Sequence, residues 1–585
     1  MQLIQRVSAL FFVLILAACG GDQPKNNQST GLTAAAGGVN IGGVFRYNEE
    51  SYFRDLFPLD VTETIGHRIT NNLYEGLLLL SQDNLKLIPG LATSYEVSED
   101  GLEYTFTLRQ GVKFHDDACF SDGKGREMTA ADVKFSFDLL CSKVPKNEGF
   151  WVFKDKVLGA NAHYEATGSG EAPAGGVEGI QVLDDYTVKI VLETPFPDFD
   201  RLLVTPFTFI FPKEAYEQYG AQGMRTKAVG TGPFRLTKVL ENETVLMRKN
   251  PTYWGKDANG NQLPYLEAIR VSFIKEQKSV LLELVNGKLD MIYRLPLEMA
   301  DDVMNENRDG LTEEYKQFQF QMMPTLSYQY YGFQHKTEPF KNPKLREAFC
   351  WAVDREKIVD FVMKGMATPA HNGIVPPAFN AITGYEYSKV DGFKYDPDKA
   401  RKALADAGFP NGEGLQKITL QINSGGGRNG QIAEAIQKQL EETLNVEVDI
   451  LQLQFPQHLE TTETGKNHFW RAGWIADYTS PENFLRLYYG ASVPDQLETK
   501  SYLNTVRYVD PAYDALFEKA LITQDLSERQ ALYIQMEQLL IKNAVAMPLF
   551  FSNDVRLIAP QVRNFPQNAM EYRTFRDVYL EELAQ

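Results

Sequence analysis

Residues 417–453 carry two short apolar segments on either side of a longer amphipathic one. The outer segments, 417–422 and 446–453, have the aliphatic residues typical of buried strands. The middle segment, 430–444, has apolar residues at the spacing of a helix. Together they form a β-α-β unit, which predicts that part of the chain is α/β. Strand-like and helix-like segments alternate irregularly elsewhere, so we expect mixed sheets in at least two lobes.

Local patterns add further elements. Tyr104, Phe106 and Leu108 alternate with polar residues, which predicts a strand. Thr129 and Asp132 have the spacing of a capping box at the start of a helix. Other helices are predicted at residues 279–285, 342–359 and 527–542.

Charge and composition exclude several classes of protein. The chain has 585 residues, and 59 Lys and Arg against 77 Asp and Glu give a net charge of −18. This charge argues against nucleic-acid binding, which needs a cationic face. Hydrophobic residues make up 43%, as in ordinary globular proteins, so general disorder is excluded. The 28 Tyr and 36 Phe are enough to line a sizeable ligand cleft.

The N-terminus has the pattern of an export signal. Arg6 precedes an apolar run at 7–18, whose 12 residues are too few for a membrane span of about 20. The run ends in LAAC, which resembles the lipobox of bacterial lipoproteins. This resemblance implies a lipoprotein signal peptide at 1–19, with Cys19 lipidated and holding the protein at a membrane on its extracytoplasmic side. The alternative is a plain signal peptide with a chance Cys. Residues 20–39, small and polar, are predicted to be a flexible tether.

A series of motifs runs through the remaining chain in a fixed order. It begins with LIPGLATSYEVSEDGLEYTFTLRQGVKFHDD at 87–117 and MTAADVKFSFDLL at 128–140. It continues with VLDDYTVKIVLETPFPDF from Val182, GTGPFRL from Gly230, NPTYW from Asn250, NPKLREAFCWAVDREKIV from Asn342 and RAGWIADYTSPENF from Arg471. In order and spacing the series resembles the family 5 extracellular solute-binding proteins, the peptide and oligopeptide class that feeds ABC importers.

The resemblance implies an α/β, two-lobed periplasmic-binding-protein fold. This fold is class II-like, of the peptide-binding type, with an additional small domain inserted in lobe I. The implied boundaries are 40–75, 206–300 and 546–585 for lobe I, 76–205 for the inserted domain and 301–545 for lobe II.

The resemblance also implies a function. The protein is expected to be the substrate-binding lipoprotein of an ABC importer, capturing short peptides in the interlobe cleft by hinge closure. It would deliver them, as a monomer, to a permease in the inner membrane, without chemistry or cofactor. One alternative is another solute, such as a nickel chelate, haem or an oligosaccharide. Another is a secreted hydrolase, although no HExxH or GxSxG motif is present.

Four candidate ligand residues lie in the motif that begins at Arg471. By resemblance Asp477 pairs with the ligand's α-amino group, and the alternative is a capping or turn role. Arg471 matches the arginine that meets the ligand carboxylate, and the alternative is a surface arginine at a strand end. Gly473 would let a ligand backbone approach closely. Trp474 would supply an amphipathic wall.

Two more candidates lie before this motif. Arg428 lies in a glycine-rich loop where relatives place a His or Arg for the ligand carboxylate, an alignment that depends on loop length. Phe455 matches an aromatic position of the cleft, and a core role is the alternative.

The same glycine-rich loop has the pattern of a dinucleotide fingerprint. Gly425, Gly427 and Gly430 follow a predicted strand, and Asp449 comes 19 residues after the last of them. A lone pattern of this kind is weak evidence in an exported chain, because nicotinamide cofactors are supplied in the cytoplasm. We therefore expect no cofactor.

A second cluster, of His115, Asp116, Asp117, Cys119 and Asp122, could be taken for a metal site. Zinc ligands usually show tighter spacings on defined elements, and the His-Asp pair belongs to the family motif as a turn. We expect no metal.

The remaining cysteines suggest a disulfide. Cys350 falls in a predicted helix and is expected to be a buried apolar residue. Cys119 and Cys141 are atypical of the family and would lie in an oxidising compartment. We therefore predict a Cys119–Cys141 disulfide.

Overall fold

The computed structural model describes residues 31–424, 426–501 and 503–582. The predicted signal peptide, Cys19 and the first part of the tether lie outside these ranges. The strands β1 to β22 are, in chain order, Thr33–Ala34, Asn40–Ile41, Val44–Asn48, Leu78–Leu80, Leu87–Pro89, Ala92–Val97, Glu103–Leu108, Ile180–Asp184, Thr187–Val191, Phe234–Leu240, Thr244–Lys249, Ala268–Ser272, Met291–Tyr293, Gln319–Pro324, Ser327–Phe333, Ala367–Pro369, Ile418–Asn423, Val448–Leu453, Phe469–Ile475, Ala546–Ile558, Val562–Arg563 and Tyr579–Leu580.

The helices α1 to α16 are, in the same order, Thr64–Thr70, Ala130–Leu140, Ala160–Gly168, Phe199–Leu202, Lys213–Met224, Gln277–Val285, Ala300–Val303, Pro343–Ala352, Arg355–Lys357, Phe379–Thr383, Pro397–Asp406, Gly426–Leu444, Phe455–Glu463, Glu482–Leu485, Pro511–Ile522 and Leu526–Lys542. None of the described helices combines the length and the apolar character that crossing a membrane requires.

The largest sheet joins the two lobes through β20. Its strand order is β10-β11-β12-β3-β13-β20-β15-β19-β17-β18, and β14 and β16 also pair with β20. Residues 553–558 of β20 pair with β13 and β14, whereas residues 546–552 pair with β15 and β16. The chain from β14 to β15 crosses between the lobes beside β20. The two crossings are hydrogen-bonded to each other, because Thr325 N donates to Ser552 O at 2.9 Å.

The expected lobe boundaries remain predictions, and the strand pairing near them gives further detail. The boundary expected after residue 545 falls at the start of β20, but β20 changes partners between Ser552 and Asn553. The range expected for lobe II begins at residue 301, yet β14 still pairs with the lobe I part of β20. The points at which the chain crosses between the lobes are set by strand pairing. The series of motifs carries no information about which strands pair.

The local predictions for residues 76–205 are confirmed. A separate antiparallel sheet has the order β6-β7-β9-β8. Tyr104, Phe106 and Leu108 of β7 are all buried. The capping box of α2 is present, and the Thr129 N–H donates to the Asp132 carboxylate at 2.9 Å.

The β-α-β unit is also confirmed. β17 and β18 are parallel, with Leu420 opposite Ile450, and α12 connects them. Ile432, Ile436 and Leu440 of α12 are buried against this half of the sheet. A separate apolar cluster runs from the lobe I strands through the inserted domain to α15 and α16 of lobe II, so the lobes pack together.

The single helix predicted over residues 342–359 is wrong. The chain leaves the helical conformation at Val353, where φ is −100° and ψ is 117°, and α9 follows as a separate turn. The cause is Arg355, whose guanidinium is buried and donates to the carbonyls of Cys350, Val353 and Pro548. A continuous helix would hold the carbonyls of Cys350 and Val353 in its own hydrogen bonds.

The predicted tether is shorter than expected at its C-terminal end. β1 pairs with β2, and the Asn40 side-chain amide donates to Leu580 O at 3.1 Å. Residues 33–41 therefore lie against the folded body.

The predicted disulfide is wrong, because Cys119 and Cys141 are both free thiols. Cys119 lies near Glu214, which forms an ion pair with Arg126. Arg126 also pairs with Asp132 in the first turn of α2, so these contacts link the surroundings of Cys119 to the start of this helix. Cys141 caps the opposite end of α2. α2 has 11 residues, which rise about 16 Å between its first turn and Cys141.

Candidate ligand-binding site

β19 carries the main candidate residues through the lobe II half of the sheet. It pairs antiparallel with β15 and parallel with β17. Alternation along the strand puts Arg471 and Gly473 on one face and Trp474 on the other. Asp477 follows two residues after the strand ends at Ile475. Since β19 rises about 3.3 Å per residue, the part from Arg471 to Ile475 alone spans about 13 Å.

The guanidinium of Arg471 is held by neutral side chains. It donates to Asn423 Oδ1 at 3.0 Å and to Gln329 Oε1. No carboxylate of the described residues forms an ion pair with it. Burial lowers the pKa of Arg471, and the charge of Arg428 acts in the same direction. A guanidinium stays protonated at neutral pH even so, and its charge is available to an anionic ligand group.

A cavity of about 260 Å³ opens beside Arg471. Arg428, from the first turn of α12, lines the same cavity, so the structure brings these two candidates together. Arg294, directly after β13, and Asp554, on β20, complete the charged part of the wall. Sequence reasoning missed Arg294, Asp554 and the amide partners of Arg471. No local pattern marks them, because strands distant in the chain meet here only through the sheet order.

Asp477 is a solvent-accessible carboxylate surrounded by protein on most sides. Desolvation raises its pKa to about 6, against the opposing effects of the Asn483 hydrogen bond and the Arg486 charge. Asn483 Nδ2 donates to its carboxylate at 3.3 Å. Among the described residues no backbone N–H donates to this carboxylate and no Lys or Arg forms an ion pair with it. The side chain therefore caps no helix or turn, and although the charge of Arg486 acts on it, it forms no direct ion pair with a described residue.

Asn483 organises the end of the site and was not predicted. It is fully buried, and its Oδ1 accepts from Trp474 Nε1 at 2.8 Å and from Asp477 N at 3.2 Å. The amide thus fixes the Trp474 ring and the Asp477 backbone together.

Gly473 is exposed, and a Cβ there would meet the Gln329 amide at 3.0 Å. A larger residue at this position would displace the group that holds Arg471.

Phe455 is the first residue of α13 and is 50% exposed, so it is not a core residue. It does not line the cavity that holds Arg428 and Arg471. The structure therefore leaves it on the surface near the site.

The loop with the dinucleotide pattern does not have the geometry of that fingerprint. Gly425 is outside the described ranges, and Gly427 and Gly430 lie within α12. Asp449 is the second residue of β18, whereas the ribose-binding acid of the fingerprint belongs near the end of the strand that faces the helix N-terminus. Its carboxylate pairs instead with Lys417 at 3.1 Å on the surface.

The described residues contain no group of three or more His, Cys, Asp or Glu side chains that could hold a metal ion. His115 is buried, and its ring hydrogen-bonds Gly232 O at 2.9 Å. Asp116 pairs with Lys124 at 2.8 Å. These two members of the cluster are occupied in holding the loop.

Directly after Asp477 the chain contacts the inserted domain. Ser480 Oγ donates to Asp198 Oδ2 at 2.6 Å, and Arg201 donates to Thr479 Oγ1 at 2.7 Å. Arg529 of α16 lies 3.5 Å from the same Asp198 carboxylate. These contacts join the segment after Asp477 to residues 198–201 and to α16.

Comparison with known proteins places this architecture in a family. The family model described as "Bacterial extracellular solute-binding proteins, family 5 Middle" matches residues 86–495, and the chain belongs to this family. The dipeptide-binding protein DppE of Bacillus subtilis is 26% identical over 567 residues, which are 96% of each chain. The periplasmic oligopeptide-binding protein OppA of Escherichia coli is 27% identical over 91% of this chain and 92% of its own.

A solved structure has the same fold. The ABC transporter-associated periplasmic binding protein DppA from Helicobacter pylori, in complex with the peptide STSA, superposes with a TM-score of 0.74. It is 26% identical and covers 93% of this chain and 99% of its own. The expected two-lobed α/β fold and the family assignment are confirmed.

Proposed function

We propose that the protein captures short peptides in the cleft beside β19 and delivers them to an ABC permease. The observation that carries the proposal is the charge pattern of one segment. Arg471 and Asp477 lie six residues apart, and neither forms an ion pair with a described residue. A free peptide carries an ammonium at one end and a carboxylate at the other, and burying either unpaired costs several kcal/mol. Asp477 and Arg471 supply the two charges that such a ligand needs.

The comparisons support the same ligand class. One relative is named for dipeptides and another for oligopeptides, and the solved DppA structure holds a peptide. In this protein the ligand ammonium would pair with Asp477 and the carboxylate with Arg471, assisted by Arg428. Binding and release complete the task, so no bond of the peptide is broken.

Closure of the lobes would complete the site. The candidate residues on β19 and α12 belong to lobe II, and lobe I and the inserted domain supply the opposite wall. Closing excludes water, which strengthens both ion pairs. Small-angle scattering is expected to show a smaller radius of gyration when peptide saturates the protein.

We propose further that Cys19 carries a lipid anchor on the extracytoplasmic side of a membrane and that the protein acts as a monomer. Growth with radiolabelled palmitate should label the wild type and not the Cys19→Ser variant. An unlabelled wild type would contradict the anchor without touching the binding proposal.

Native mass spectrometry of the purified protein tests the ligand class directly. We expect co-purified species with masses of short peptides, displaced by an added tripeptide. Incubation with a peptide library should leave the peptides intact. Cleaved peptides would favour a hydrolase, and a bound chelate, haem or sugar would contradict the peptide assignment.

A further inference from the structure

The cavity beside Arg471 carries more positive charge than one peptide carboxylate can neutralise. Three arginines line it, Arg294, Arg428 and Arg471, and one acid, Asp554. The other polar groups of its wall are neutral amides and a hydroxyl, from Gln329, Asn423, Asn429 and Ser552. The formal charge of the cavity wall is therefore +2 in a chain whose net charge is −18.

The single acid is already engaged. The hydroxyl of Tyr293 donates to the Asp554 carboxylate, and Arg294 Nε lies 3.6 Å from it. Arg428 forms no ion pair with any described residue, and Arg471 is held by amides. Two guanidinium groups thus face the same cavity without a partner of opposite charge.

A second acid, Glu50, lies outside this cavity. Glu50 lines an adjoining cavity of about 220 Å³ together with Arg428. Its negative charge raises the pKa of Arg428. It is exposed to solvent and forms no ion pair with Arg428 among the described residues. Desolvation and the charge of Arg294 lower the pKa of Arg428, although its side chain is still exposed to solvent. The charges of Asp554 and Glu50 act in the opposite direction without forming an ion pair with it, so the guanidinium is available to an anionic ligand group.

We infer that the site selects peptides whose C-terminal residue is Asp or Glu, so that two carboxylates enter the cavity together. This inference rests on the proposed peptide-binding function. The α-carboxylate would meet Arg471, and the side-chain carboxylate of the same residue would meet Arg428. Paired guanidinium–carboxylate hydrogen bonds are the strong, geometrically specific kind. The volume of about 260 Å³ leaves room for both groups.

Calorimetry with four peptides tests the inference: Ala-Ala-Ala, Ala-Ala-Gln, Ala-Ala-Glu and Glu-Ala-Ala. Ala-Ala-Glu should bind roughly tenfold or more tightly than Ala-Ala-Gln, its uncharged isostere. Glu-Ala-Ala has the same charge at the other end and should show no such gain. General electrostatics works against both acidic peptides, because the protein is strongly negative.

Two variants locate the effect. In Arg428→Gln the affinity ratio of Ala-Ala-Glu to Ala-Ala-Gln should fall close to one, whatever happens to the affinities themselves. Arg270→Gln, an exposed arginine on β12, is the matched control and should keep the wild-type ratio.

The possible outcomes distinguish failure of the acidic preference from failure of the peptide-binding proposal. If none of the four peptides binds the wild type, the peptide-binding proposal fails. If Ala-Ala-Glu and Ala-Ala-Gln bind the wild type equally, peptide binding stands and the acidic preference is overturned. An unchanged ratio in Arg428→Gln would also overturn it, because the preference would then arise elsewhere.

Discussion

Replacing Asp477 by Asn removes one negative charge from the cleft and keeps the shape of the side chain. In the wild type this carboxylate forms no ion pair with a described residue, so it is free to pair with a ligand ammonium as we propose. Among the described residues, its carboxylate accepts a hydrogen bond only from Asn483, at 3.3 Å, the long end of the usual range. An Asn at this position still offers an oxygen to accept that bond. The variant therefore alters ligand electrostatics with little effect on the fold.

The expected magnitude follows from the buried ammonium that the variant leaves unpaired. Removing one partner of a buried charge pair costs about 2–5 kcal/mol, which is roughly 30- to several-thousand-fold in Kd. The free energy of unfolding should change by less than about 0.5 kcal/mol, because the ion-pair partner is on the ligand. A structural role for Asp477 predicts the opposite: reduced stability with affinity almost unchanged.

Calorimetry with one tripeptide in free and N-acetylated forms decides between these roles. The wild type should bind the free form much more tightly, and Asp477→Asn should lose this discrimination. Asp360→Asn, an exposed acid of lobe II, is the control and should behave as the wild type. Equal binding of both forms by the wild type would refute the assignment of Asp477 as the amine anchor.

Three further predictions concern pH and closure. The pKa of Asp477 is raised to about 6, so below pH 6 the group is protonated and peptide affinity, measured by calorimetry, should fall about tenfold per pH unit; a flat profile would contradict its role. Burial raises the pKa of Glu537 to about 8 from 4.5, so the folded state keeps a proton that the unfolded state releases. The contribution of Glu537 to the free energy of unfolding should therefore fall by up to about 1.4 kcal/mol per unit as pH rises from 4.5 to 8, and the slope measured in urea titrations should become less negative by this amount in Glu537→Gln. Ser480→Ala removes a hydrogen-bond donor to the buried Asp198 and should weaken the closed state by about 1–3 kcal/mol. Peptide affinity should therefore fall at least about fivefold. Unchanged affinity would show that this contact does not support closure.

Features set by short stretches of chain could be predicted from the sequence. The β-α-β unit, the strand through Phe106 and the capping box at Thr129 each depend on residues close together, and each is confirmed. The order of the motifs was sufficient to predict the family and the two-lobed fold. Arg471, Arg428 and Asp477 could be named because they fall in or near those motifs, although their roles remain predictions.

Features set by tertiary contacts could not be predicted. The break after α8 depends on Arg355 bonding Pro548, nearly two hundred residues away. Arg294 and Asp554 reach the cavity only through the pairing of β13 and β20. The disulfide prediction failed because it paired the two cysteines that had no other role. The sequence does not say how far apart they lie in the folded protein.

The paired crossings between the lobes restrict how the protein can move. A single linker would allow one lobe to swing, twist and slide relative to the other. Here two adjacent strands cross together and are tied at Thr325 and Ser552, which removes most of these degrees of freedom and leaves bending about one axis. We expect every ligand to meet the same closed geometry, so that discrimination among peptides depends on the fixed charges of the cleft and little on how far the lobes close.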